Sequence, residues 1–319
     1  MPRNARIPVW AALIGSGIAG VLVALQSRIN GGLSQALGSG YVAAAFSFGS
    51  GLVVLTLLVL LSPRGRRGLG MVRADVSSGR LPVWTLLGGA GGAFFVLGQG
   101  LVASVIGVAL FTVGIVAGQV LGGLVFDRVG LGPSGRIDPT LTRLVGTALA
   151  VVAVALSVGA GGGAGHSALL VVFPVLIGVC VAAQSMVNGL VRASAQSALT
   201  STFVNFVTGT VLLVLFAIVS VAIDGWPESW PASPVLYTGG LLGMIFIAIA
   251  AALVRTAGVL LLSMSNVAGQ LIAAVAFEAG IPLAGGLTQG MILGSAVALL
   301  AVAIAALPSR KRRPDPSAE

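Results

Sequence analysis

The groups able to do chemistry in this chain are few, and most of them are uncharged amides. Gln26 and Asn30 stand four residues apart, which places them on one helix face, and Gln184 and Asn188 repeat that spacing. Gln119 and Gln270 each close an AGQ triplet, so each follows a glycine that lets a neighbouring backbone come close. An amide carries both donors and acceptors, so in a low-dielectric cavity it can hold a polar solute without the cost of a buried ion. The same groups can instead cross-link helices, at about 1 kcal/mol per hydrogen bond. Both roles are open to Gln26, Asn30, Gln184 and Asn188, while Gln119 and Gln270, mid-span at equivalent depth in the two halves, are the strongest cavity candidates. Three charged residues belong to the same set: Arg28, Asp127 and Glu278. Asp127 stands beside Arg128, which points to a local ion pair. Glu278 has no basic neighbour in sequence and closes a span, where the helix macrodipole disfavours an acid. It is either a solvated loop residue or a carboxylate held in place for use. Arg28 could draw an anion, pair with Glu278 across two spans, or anchor at the interface by snorkelling.

Other chemistries find no support. His166 is the sole histidine and Cys180 the sole cysteine, so neither a histidine cluster nor a cysteine-based metal site nor an intramolecular disulfide can be assembled. GSGIAG at 15–20 matches the dinucleotide fingerprint, but that motif needs a strand before it, and here it lies inside an apolar run. There is no phosphate-binding P-loop, and no nucleophile with its base within the spans. No catalytic residue, metal or cofactor is expected.

The composition states where these amides must sit. A chain that is 57% hydrophobic and 8% charged, with a mean hydropathy of +1.08, has too little polar surface for water and belongs in a bilayer. Forty-seven glycines suit membrane helices, where small residues let backbones approach. Stripes at spacing four, Gly114, Gly118 and Gly122, then Gly88 with Gly92 and Gly239 with Gly243, read as packing faces. The net charge of +9 does not mark a nucleic-acid binder, because the arginines are spread between apolar spans rather than gathered on a wet surface. The first apolar run has no small-residue cleavage site, so it reads as an uncleaved span.

The chain is one unit written twice. QSRING at 26–31 returns as QSMVNG at 184–189, GGAGGAFF from Gly88 returns as GGLLGMIF from Gly239, and AGQ at 117–119 returns at 268–270. A fixed-interval repeat means repeated architecture. Spans of roughly twenty apolar residues fall at 9–30, 41–61, 82–103, 105–126 and 141–158, and again at 169–189, 199–223, 235–254, 256–277 and 288–307. The predicted fold is therefore an all-α integral membrane protein of ten helices. Residues 1–158 form the first unit, 159–167 a glycine-rich linker, 168–307 the second unit and 308–319 a basic tail. With both termini cytoplasmic, all of the 17 basic residues except Arg28 fall in cytoplasmic segments, which is what the positive-inside rule asks. Five spans per unit is odd, so the second unit enters the membrane inverted, an arrangement that recurs in secondary transporters.

The residues QSRING with the following GLSQALGSGYVAAAFSFGSG, the glycine-rich third span, and AGQ with its downstream FDRVG resemble the YdcZ-like inner-membrane exporters of the drug/metabolite transporter superfamily. Nearly the whole chain takes part. Many members look like single five-span units that would have to pair, whereas this chain is similar to two such units fused. The second copy departs from the first: Arg28 aligns with Met186, Ser34 with Arg192 and Ser47 with Asn205. The resemblance implies ten helices around a central cavity, lined mostly by spans one, three and four and by six, eight and nine. It implies an exporter in the cytoplasmic membrane, with lipid and a small-molecule substrate as partners, no nucleic acid, and a monomeric or homodimeric state. A membrane scaffold or sensor is the competing reading, but a scaffold has no need of amides repeated at matched depth. Cysteines placed at Ser78 and Ser229 should label from opposite sides of the membrane, Ser78 from the cytoplasm. Labelling of Ser78→Cys from outside intact cells would overturn the orientation.

Overall fold

The computed structural model describes residues 8–131, 135–136, 138–159 and 167–307. Most of the expected linker, His166 and the basic tail lie outside the described residues. The elements in order are α1 (Val9–Leu37), α2 (Gly40–Leu61), α3 (Pro63–Ser77), a 3-10 turn (Val83–Gly88), α4 (Gly89–Gly98), a π segment (Gln99–Ala103), the single turn α5 (Ser104–Ile106), α6 (Val108–Val129), α7 (Leu141–Gly159), α8 (Ser167–Ala195), α9 (Ala198–Asp224), a 3-10 turn (Pro234–Tyr237), α10 (Gly239–Gly280) and α11 (Gln289–Ala305). Among the described residues seven helical stretches are long and apolar enough to cross a membrane. Their large apolar side chains face outward along much of their length, Val53, Leu57, Val211 and Ile218 among them. A bilayer is the solvent that makes such a surface stable.

The repeat extends down to the turns. α1 ends at Gly38 in the left-handed region (φ 64°), and Ser39 then caps α2 by accepting from the Val42 amide. In the second copy Gln196 takes the same left-handed conformation (φ 50°) and Ser197 caps α9 from the Thr200 amide. A glutamine held there costs on the order of 1 kcal/mol, so the turn geometry outweighs the residue's own preference.

Three features differ from the expected spans. The arginine-rich segment after α2 is a helix of its own, α3, started by the Ser62 cap and Pro63 in its first turn. The third span is a composite, since the Val83–Ile106 stretch passes from 3-10 to α to π geometry before Gly107 (φ 83°) breaks it. The eighth and ninth spans are joined in α10, 42 residues long. A straight helix of that length would reach about 63 Å. Both of its ends nevertheless meet the same part of α1: Gln26 donates to the Gly239 carbonyl, and Arg28 to that of Ile281. The segment therefore doubles back and presents two arms to α1.

Glycine lets the repeated helices cross backbone to backbone. A Cβ at Gly20 of α1 would overlap the Asn266 carbonyl, and one at Gly269 would overlap that of Gly17. The matching seam joins α6 and α8, where a Cβ at Gly178 would overlap the Ile115 carbonyl and one at Gly118 that of Val175. The Gly122 and Gly114 positions continue this seam against Val179 and Pro174. Between the seams Phe48 of α2 stacks on Phe206 of α9, ring centroids 4.6 Å apart and 18° from parallel. These two are repeat equivalents, so one position of the repeat meets its counterpart in a direct contact. Helices α7 and α11 close the far side, Gly146 against Ala301 and Gly294 against Ser157.

Gly269→Val should lower thermal stability in detergent by about 1–3 kcal/mol or more, because the seam has no room to relax. Gly123→Ala, at a helical glycine whose added Cβ meets nothing within 4 Å, should be neutral or slightly stabilising. Equal losses from both would refute the seam.

Candidate functional site

The amides of the first copy sit where α1, the π segment and the start of α10 converge. Gln26 is 4% exposed and its Nε2 donates to the Gly239 carbonyl at 3.0 Å. A Cβ at Gly243 would stand 2.7 Å from that same Nε2, so a larger residue there would displace the amide. Asn30, 1% exposed, donates from Nδ2 to Gln99 Oε1 at 2.6 Å; Gln99 donates from Nε2 to Ser27 Oγ at 2.8 Å, and Ser27 donates to the Val23 carbonyl at 3.1 Å. Gln99 is wholly buried at the first position of the π segment, a backbone form that recurs at functional sites. It was not among the residues expected from sequence. Its signal was present, as the lone amide in an apolar third span between Gly98 and Gly100. The network is incomplete: Asn30 Oδ1 and Ser47 Oγ are buried without a partner, and both crowd the place where a Gly239 side chain would project.

The second copy has the same residues in the same places but in a looser state. Gln184 faces Gly92, and Asn188 faces Gly88, whose Cβ would stand 3.2 Å from Asn188 Oδ1. Both amides are half-buried, and among the described residues neither side chain makes a hydrogen bond. Gln119 is half-buried on the α6–α8 seam, while Gln270 is 3% exposed on the α1–α10 seam. Ser47 and Asn205 are repeat equivalents, buried on either side of the Phe48–Phe206 stack, and each has an unpartnered oxygen.

The charged residues separate to the two faces of the bundle. Glu278 is no solvated loop residue. It is 1% exposed in the last turn of α10, and its Oε2 accepts from the Val108 amide at 2.7 Å, the first residue of α6. A carboxylate aimed at a helix N-terminus is where the macrodipole favours it, so the unfavourable end of its own helix is offset by the favourable end of another. Gly107 makes room, since a Cβ there would lie 2.7 Å from the carboxylate carbon. Glu278 Oε1 has no partner. Arg28 does not pair with Glu278 directly: its Nε donates to the Ile281 carbonyl at 2.6 Å, within reach of the Glu278 charge. Gln35 ties the same face by donating to the Ser104 and Leu283 carbonyls at 2.8 and 2.9 Å. Asp127 lies at the other face, and its partner is not the adjacent Arg128. It pairs with Arg143 at 2.6 Å, and Arg128 turns to Asp138, because α7 brings Arg143 back alongside the end of α6.

A cavity of about 370 Å³ between α7 and α8, lined by Val154, Val158, Val171 and Val175 among others, is apolar throughout and lies apart from the amides. Among the described residues no cluster of His, Cys, Asp and Glu could hold a metal ion.

Residues 11–156 and 169–307 each match the model of the family described as "Putative inner membrane exporter, YdcZ". The match covers the chain in two repeated segments. No curated protein matches it closely enough to count as a relative.

Replacing Gln99 by Leu would strand Asn30 and Ser27, so Gln99→Leu should destabilise by about 1–3 kcal/mol. Gln184→Leu, which breaks no hydrogen bond, should cost far less in the same thermal unfolding assay.

Proposed function

The chain belongs to the YdcZ family of inner-membrane exporters, and on that premise we propose that it is a secondary transporter moving a small polar or amphipathic metabolite or drug outward across the cytoplasmic membrane by alternating access. In this reading α10 contributes two spans and α11 the last, which gives ten in two inverted units, with both termini and the arginine-rich face in the cytoplasm.

One observation carries the mechanism. Repeat-equivalent residues differ in exposure: Gln26 and Asn30 are buried and bonded, whereas Gln184 and Asn188 are half-buried and free of side-chain bonds. Glu278 is sealed against α6, whereas the Asp127 side chain is 41% exposed. Two copies of one unit in two states fit a carrier closed at its outer end and loosened at its inner end. Exchanging the two states between the units would open the other side. The Gln26, Asn30, Gln119, Gln184, Asn188 and Gln270 amides would then serve as uncharged hydrogen-bonding groups along the path. Glu278 is the first candidate for coupling to protons and Asp127 the second. Protonating Glu278 would weaken the tie between α10 and α6 that holds the outer end shut.

Gln184→Cys and Asn188→Cys should react with a membrane-impermeant thiol reagent from the arginine-rich side, and Gln26→Cys and Asn30→Cys should resist it from either side. A transported compound, found by uptake into proteoliposomes from a metabolite panel, should raise the labelling of Gln26→Cys. Equal labelling of all four under every condition would refute alternating access. Glu278→Gln decides the coupling: retained accumulation under a pH gradient would exclude the carboxylate and leave the amides as the working site.

A further inference from the structure

Helix α3 binds nothing that the transport reading uses, yet it is the most densely charged element of the protein. Its buried face is made of Gly65, Gly68 and Val72, spaced so that they share one side, and it docks beneath the ends of α8 and α9. Thr200 donates to the Gly65 carbonyl at 3.1 Å, and Val72 packs with Leu81, Val191 and Ala195. The flanks carry Arg64, Arg66, Arg67 and Arg73, all exposed. Among the described residues none of the four forms an ion pair. The one nearby acid, Asp75, is engaged elsewhere: it accepts from the Ser194 hydroxyl at 2.7 Å and pairs with Arg80 at 2.6 Å, which hold its carboxyl below the ordinary carboxylate range.

The level of the helix is marked on both sides. Leu60 and Leu61, 57% and 79% exposed, lead directly into it, and Val83 and Trp84, 65% and 46% exposed, follow it. Large apolar side chains this exposed face acyl chains, and a tryptophan among them sits where headgroups begin. The four guanidinium groups between these anchors therefore lie at the headgroup layer and not out in bulk water. We propose that α3 is a docking surface for the anionic headgroups of phospholipids in the adjoining leaflet. Arg66 spends one Nη on the Leu60 carbonyl, the guanidinium groups otherwise offer planar forks matched to a phosphate, and among the described residues no carboxylate pairs with any of the four. The inference needs only that the chain spans a bilayer, and stands whether or not it transports.

The test uses the purified full-length protein in lipid nanodiscs. From equal mixtures of phosphatidylglycerol and phosphatidylcholine, the lipid retained after mild delipidation should favour phosphatidylglycerol by roughly fivefold at low salt, the preference that one arginine beside one anionic headgroup supplies. High salt should erase the preference, since the flanks are exposed. Replacing all four arginines by Gln should bring it to parity, and replacing all four by Lys, which keeps the charge but not the fork, should leave a reduced preference that high salt still erases. Should the Gln variant fail to fold, the salt titration on the unaltered protein and the Lys variant decide the matter. A preference that survives in the Gln variant, or equal retention of both lipids by the unaltered protein, overturns the proposal. So does a thermal stabilisation by inorganic phosphate that equals the effect of phosphatidylglycerol, because the site would then be an anion site with no need of a lipid.

Discussion

The protein depends on one contact made again and again: a glycine Cα lying against a carbonyl of the opposite unit. In a bilayer the apolar faces of two helices gain nothing by leaving lipid for each other, so association rests on how closely the helices approach. Gly17, Gly20 and Gly269 bring α1 to α10, and Gly114, Gly118 and Gly178 bring α6 to α8. Both seams join one unit to the other. The tightest backbone approaches of these helices are thus made between the units.

Close approach also sets the cost of polar groups. Once Gly239 and Gly243 admit Gln26 and Asn30 to the seam, water is excluded and each amide must find a protein partner. Gln99 supplies two of the bonds from the π segment. The residual unpaired oxygens of Asn30, Ser47, Asn205 and Glu278 lie on or beside these seams, in the part of the molecule where two arrangements must lie close in free energy if the halves are to exchange states.

Most of the architecture was legible in the sequence because its causes are local. Apolar run length gives helices, and the repeat of QSRING and AGQ gives two units. What was not legible depends on elements far apart in the chain. Glu278 was ambiguous because its partner is a backbone amide of α6, an interaction no spacing encodes. Asp127 was assigned the nearest arginine, whereas the fold returns a more distant one, Arg143. Gln99 was passed over because it has no counterpart in the repeat: the aligned residue in the second copy is Ala250, and symmetry was the guide. The helix α3 has little signal in the sequence, since its buried side is two glycines and a valine.

In the Phe48–Phe206 stack the same position of the two repeated segments meets itself. In an assembly of two separate identical chains, a residue at such a place meets its own copy, and any substitution there is made on both sides at once. A large ring would have to become two large rings, and a hydrogen-bond donor two donors. Joining the units in one polypeptide removes that restriction. Ser47 and Asn205, flanking the stack, already differ in size and in hydrogen-bonding capacity while occupying the same position in the two units. The covalent link between the units is therefore a licence for heterogeneity where they meet, and the polar groups beside the stack are a hydroxyl on one side and a carboxamide on the other.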